Sequence, residues 1–120
     1  IASPVNQGTA RTRDLAMSHA KHPYIASLDA DDLWHPDHLE ILIETFTRTQ
    51  ADFIFSGFDM FFTDLDVPTK TFIPPPDTLE DLKAGYYFNR FWLQPSTVAF
   101  TRDLLERLGG WAKNFDQKPA

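Results

Sequence analysis

The chain has 120 residues, 42% of them apolar and 14% aromatic, with a formal net charge of −6 and no cysteine. This suits one globular domain with a real core and excludes an intrinsically disordered chain. The acidic balance, without any block of Lys and Arg, excludes a nucleic acid or an anionic membrane as the main partner, and the missing thiols exclude disulfides, a cysteine nucleophile and Cys-ligated zinc. The lack of cysteine agrees with a reducing compartment, so the expected address is cytoplasmic, free or peripheral at the inner face of a membrane. No apolar run approaches the roughly 18 residues of a membrane-spanning helix. The opening stretch, IASPVNQG, has neither the basic start nor the apolar middle of a signal peptide. It reads as a strand end, so the chain is expected to be a piece of something longer.

In chain order, residues 1–5 read as extended, and Asn6-Gln7-Gly8 is a turn signal. Thr9 is a candidate cap for a helix running to about Ala20, with Ala10, Leu15, Ala16 and Ala20 available for packing. His22-Pro23 ends it, because the residue before proline leaves the α region. Residues 24–28 (YIASL) form an apolar run of strand length. Three aspartates follow, Asp29, Asp31 and Asp32. Pro36 suits the first position of the next helix. Leu39, Leu42, Ile43 and Phe46 then fall at i, i+3, i+4 and i+7, an amphipathic stripe predicted to end near Gln50.

Residues 52–62 (DFIFSGFDMFF) read as strand, with Gly57 marking a bulge or a close approach. The stretch 63–77, with Pro68 and Pro74-Pro75-Pro76, reads as a loop carrying one short strand near Thr71-Phe72-Ile73. Thr78 to Ala84 reads as a short helix with Thr78 and Asp81 as a capping box and Gly85 as its stop. Residues 86–94 are aromatic (YYFNRFWLQ), with core packing favoured over stacking on a ligand. Ser96 to Phe100 reads as a buried strand. Thr101 caps a last helix, Arg102 to Leu108, and Gly109-Gly110 end it. Strand and helix alternate, which predicts an α/β fold with helical crossovers and a mixed or parallel sheet.

The aspartate cluster is the chemical signal. Two carboxylates about 4 Å apart repel by roughly 4 kcal/mol at an effective dielectric of about 20. In open α/β sheets ligands bind beyond the carboxyl ends of the strands, where this cluster lies. If the strand persists, Asp29 and Asp31 project to one side. Carboxylates so placed suit a hard divalent cation that shares its oxygen ligands with substrate phosphates. Three blander readings compete: a helix cap, a solvated loop and an EF-hand. In the last, Asp29, Asp31 and Glu40 fall at loop positions 1, 3 and 12, but Leu33 and Trp34 stand where an oxygen ligand and a glycine belong. His35 and His38 alone are a weak zinc signal. Trp34 reads as packing the turn onto the sheet.

Four segments together resemble the family 2 glycosyltransferases of GT-A fold. Residues 6–14 (NQGTARTRD) are similar to the family's Asn-x-Gly and the helix after it, with Asp14 in place of the usual Asn. Residues 24–39 (YIASLDADDLWHPDHL) resemble its strand, Asp-rich motif and Trp-x-Pro. Residues 94–100 (QPSTVAF) resemble its Ser-Thr strand, and residues 104–111 (LLERLGGW) its helix and Gly-Gly-aromatic turn.

The resemblance implies a partial GT-A domain over residues 1–120, without the family's first strands and its catalytic-base region. Its reaction would be metal-dependent, inverting transfer of a sugar, of hexosyltransferase type, from a UDP- or GDP-type nucleotide-diphosphate donor to a saccharide or lipid-linked acceptor hydroxyl. Asp31 would approach the donor, and Asp31 and Asp32 would hold Mn²⁺ or Mg²⁺. Asp29 would support the site, Arg13 would sit near the nucleotide or brace the Asp loop, and Asn6 and Gly8 would shape the donor pocket. The resemblance assigns no catalytic base, because Asp116 matches the Asp of a Phe-Asp pair after the glycines. The isolated piece is therefore expected to be inactive, and an exposed sheet edge is expected to favour a homo-oligomer. A binding or scaffold module of the same shape, or a calcium-binding protein, is the alternative.

Overall fold

The computed structural model describes residues 5–62, 68–75, 80 and 93–111. Its first helix, α1 (Gly8–Ser18), leads into β1 (Tyr24–Ala26), α2 (His38–Thr49), β2 (Phe53–Phe55), β3 (Phe58–Met60) and β4 (Lys70–Phe72). A 3₁₀ turn (Pro95–Thr97) then leads into β5 (Val98–Thr101) and α3 (Arg102–Leu108). The expected strand over residues 1–5, the helix at residues 78–84 and the aromatic segment at residues 86–92 lie wholly or almost wholly outside the described residues.

The main sheet has the order β1-β5-β2, and both ladders are antiparallel, with Ile25 opposite Phe100 and Ile54 opposite Ala99. The α/β class stands, but the described ladders are antiparallel where a mixed or parallel sheet was expected: β1 and β2 run the same way and are separated by β5. The reason lies in β5. Val98, Ala99 and Phe100 are all buried, as a strand covered on both faces must be. The late strand therefore takes the centre.

The sheet alternation sorts the helices. Ala99, with Ala26 and Ile54, faces α2 and meets Leu42 and Phe46. Phe100, with Ile25, faces the other way and packs on Met17 of α1, with Leu104 and Leu105 of α3 and Trp111 beside it. Helices thus cover both faces. Phe46, the largest of the deeply buried side chains at 2% exposure, stacks on Tyr24 with ring centroids 4.5 Å apart. Its burial is worth about 1.5–3 kcal/mol. On α1, Met17 carries the contact that alanine spacing suggested for Ala16, which is exposed.

Several boundaries differ from the sequence reading. Thr9 does not cap α1: Gln7 stands at its N-cap without a side-chain cap bond, and Thr9 lies inside the helix. Helix α2 begins at His38 because Pro36 and Asp37 form a turn closed by the His38 N–H to His35 O bond of 2.9 Å. It ends at Gln50 in the left-handed region (φ 55°). The run 52–62 is two strands. After Ser56, whose N–H still bonds Thr97 O at 3.0 Å, the chain leaves the main sheet and pairs β3 with β4. Gly57 makes this turn-off possible, since a Cβ there would lie 2.5 Å from the carbonyl oxygen of Phe72. Thr101 caps α3 through the Leu104 N–H, and Gly109 ends it in the left-handed region (φ 77°), as its sequence predicts. No described helix is long and apolar enough to cross a membrane.

Candidate functional site

Strand β1 ends at Ala26, two residues earlier than its apolar run. Residues 27–35 are a loop, so Asp29 and Asp31 are not held on one side by strand alternation. The loop is shaped by side-chain bonds instead. The Asp32 N–H bonds Asp29 O at 3.1 Å, turning the chain over Ala30 and Asp31. On the α1 side, Arg13 Nη2 donates to Asp29 Oδ1 at 2.6 Å, with both side chains about three-quarters buried.

On the other side stands Ser96. Its hydroxyl accepts from the Asp29 N–H at 2.9 Å and donates to Asp32 Oδ2 at 2.6 Å. Its backbone carbonyl accepts from Trp34 Nε1 at 2.8 Å. Trp34 thus packs the loop against the 3₁₀ turn. Its ring stacks on His38 at 4.9 Å, and burial lowers His38 below the usual imidazole range. Ser96 was not among the residues singled out for the site. The signal was present: Ser96 and Thr97 open a run that is otherwise apolar, and buried hydroxyls need partners. Thr97 satisfies its own locally, by donating to Gln94 O at 2.8 Å.

The three aspartates therefore differ. Asp29 is tied to Arg13, Asp32 has one oxygen engaged by Ser96, and Asp31 is exposed with no described hydrogen bond or ion pair. Among the described residues no group of three or more His, Asp or Glu side chains could hold a metal ion. That disfavours the EF-hand reading, in which Asp29, Asp31 and Glu40 surround one calcium. His35 lies 3.7 Å from Asp37 and is exposed, while His38 is stacked on Trp34, so the two do not form a zinc pair.

Asn6 and Gly8 sit at the start of α1. Asn6 Oδ1 accepts from the Gly8 N–H at 3.0 Å, and Gly8 is in the left-handed region (φ 78°). No described hydrogen bond or ion pair joins either residue to the aspartates; the link from α1 is made by Arg13. Asp14, one residue on, accepts from the Trp111 N–H, and a Cβ on Gly110 would lie 3.2 Å from its Oδ1. Helix α1 is thereby tied both to the Asp loop and to the turn after α3. An apolar groove of about 300 Å³ lies between α2 and the sheet, lined by Tyr24, Trp34, Leu39 and Ile43 among others. No acidic residue lines it, so it is separate from the carboxylates.

Comparison with known proteins places these features in a context. The family described as glycosyl transferase family 2 matches residues 1–109. The chain is 35% identical over 74 residues to a protein of Bacillus subtilis (strain 168) named as a teichuronic acid biosynthesis glycosyltransferase, TuaG, covering 62% of this chain and 29% of that protein. It is 30% identical over 77 residues to a cholesterol galactosyltransferase of Borreliella burgdorferi (strain ATCC 35210 / DSM 4680 / CIP 102532 / B31), covering 64% of this chain and 22% of that protein. The matched stretches span less than a third of either relative. No solved structure matches the chain significantly.

Proposed function

Since the chain belongs to glycosyl transferase family 2, we propose that its Asp loop forms the metal and diphosphate side of a donor site for sugar transfer. In this reading a UDP- or GDP-type sugar binds with its diphosphate against Asp31 and Asp32, and the sugar passes to a saccharide or lipid-linked hydroxyl with inversion. The relatives' names, one for teichuronic acid synthesis and one for transfer of galactose to cholesterol, are in keeping with a hexose and with that range of acceptors.

The observation that carries the proposal is the unequal treatment of the three carboxylates. Arg13 and Ser96 fix Asp29 and Asp32 from two different elements, while Asp31 is left exposed and unengaged beside them. A solvated loop has no need of such bracing. The donor set is hard oxygen, suited to Mn²⁺ or Mg²⁺. A bound divalent cation would supply Lewis-acid stabilisation of the charge on the departing diphosphate. The chain's own part is to hold Asp31 and Asp32 at the loop's surface, with Arg13 bracing Asp29 behind them. Asn6 and Gly8, at the positive end of the α1 dipole, would form the donor pocket's wall.

The test is calorimetric binding of UDP and GDP to the full-length protein with and without Mn²⁺. One of the two nucleotides should bind at least about tenfold more tightly with the metal, and Asp32→Ala should remove that gain. Equal affinity with and without Mn²⁺ would instead favour a scaffold module of the same shape.

A further inference from the structure

Ser96 is 7% exposed, and its hydroxyl has one proton and two acceptor lone pairs. The proton goes to Asp32 Oδ2, and one lone pair takes the Asp29 N–H. The carbonyl of the same residue holds Trp34, two positions beyond Asp32. Three bonds from one residue of the 3₁₀ turn thus reach both ends of the acidic loop and the ring behind it. No other described hydrogen bond reaches the Asp32 carboxylate, so Ser96 alone fixes which of its oxygens is turned to protein and which is left free.

From this geometry we infer that Ser96 is a positioning residue for cation binding. It orients Asp32 so that Oδ2 is held by the protein and Oδ1 is presented to the metal, coupling the acidic loop to the turn that precedes the central strand. The inference rests on the proposed role of Asp32. It adds a residue more than sixty positions away that touches neither metal nor nucleotide. A hydrogen bond to a charged acceptor, with the hydroxyl already oriented by a second partner, restricts the carboxylate rotamer more than solvent would. Partners of this kind, one bond removed from a metal, typically affect its affinity by 10–100-fold (an order-of-magnitude range).

The experiment measures Mn²⁺ affinity of the full-length protein, with its UDP or GDP present, from the electron paramagnetic resonance signal of free Mn²⁺. Thermal midpoints serve as the folding control. Ser96→Ala should weaken Mn²⁺ binding by at least about tenfold, and Ser96→Thr, which keeps the hydroxyl, should restore most of it. The loss should be non-additive: in an Asp32→Ala background, Ser96→Ala should change Mn²⁺ affinity no further, whereas a merely structural effect would add. In the metal-free protein the Asp29 amide should exchange faster in Ser96→Ala, because its acceptor is gone. Should Ser96→Ala lose cooperative unfolding, Ser96→Cys, with a weaker donor of similar size, takes its place and should give an intermediate loss. A Ser96→Ala protein that keeps full Mn²⁺ affinity while Asp32→Ala loses it overturns this inference alone. An Asp32→Ala protein that keeps full affinity overturns the metal reading and this inference together.

Discussion

Arg13 Nη2 stands 2.6 Å from Asp29 Oδ1, an ion pair that joins the second turn of the first helix to the acidic loop. Both side chains are less than a third exposed. Arg13→Ala would leave the Asp29 carboxylate half-buried and unpaired, at a cost of about 1.5–3 kcal/mol. The expected outcome is a lower urea midpoint. Arg13→Lys, which keeps the charge but loses the planar fork, should recover only part of it.

Phe46 anchors the α2 face at 2% exposure, against Leu42 and Ala99. Phe46→Ala should destabilise by about 3–5 kcal/mol, a large fraction of what a domain of this size has. Loss of a cooperative thermal transition would be the visible sign. The exposed Ile41 on the same helix should tolerate alanine with a change of about 0.5 kcal/mol or less.

Gly57→Ala places a methyl 2.5 Å from the backbone oxygen of Phe72, which cannot retreat as a flexible side chain could. The β3–β4 pairing must shift, at about 1–3 kcal/mol. The stacked Phe58 and Phe72 rings, 4.6 Å apart, report it: their near-ultraviolet circular dichroism should weaken.

Burial lowers the His38 imidazole below its usual 6.5. The unfolded chain therefore takes up a proton at higher pH than the native one does. The resulting stability is complete above about pH 6.5 and is lost as pH falls from there through the lower native value. Urea midpoints at about pH 7.5 should exceed those at about pH 5.5, and His38→Gln should reduce the difference.

Much of this was legible in the sequence where one local rule decided. The Leu39–Phe46 stripe gave α2, Thr101 and the two glycines bounded α3, and Gly57 signalled a close approach. What escaped was long-range. Nothing local says that β5, near the chain's end, inserts between β1 and β2; only the burial of Val98, Ala99 and Phe100 on both faces does. The acidic residues were visible as a cluster, but their inequivalence was not. Whether Asp29 or Asp31 faces solvent depends on Arg13 and Ser96, which reach them from other elements. The strand alternation invoked for that pair assumed that β1 continued past Ala26. Ser96 reads as the first residue of a buried strand; that its hydroxyl takes its partners from the acidic loop is visible only in the fold.

The position of the cation decides the role of the acidic loop. Crystals of the full-length protein grown with Mn²⁺ and its preferred nucleotide diphosphate would locate the metal by its anomalous signal. The expected peak lies about 2.1 Å from a carboxylate oxygen of Asp31 or Asp32 and bridges to the diphosphate. A diphosphate bound elsewhere on the domain, or a manganese with neither of these carboxylates among its ligands, would contradict it.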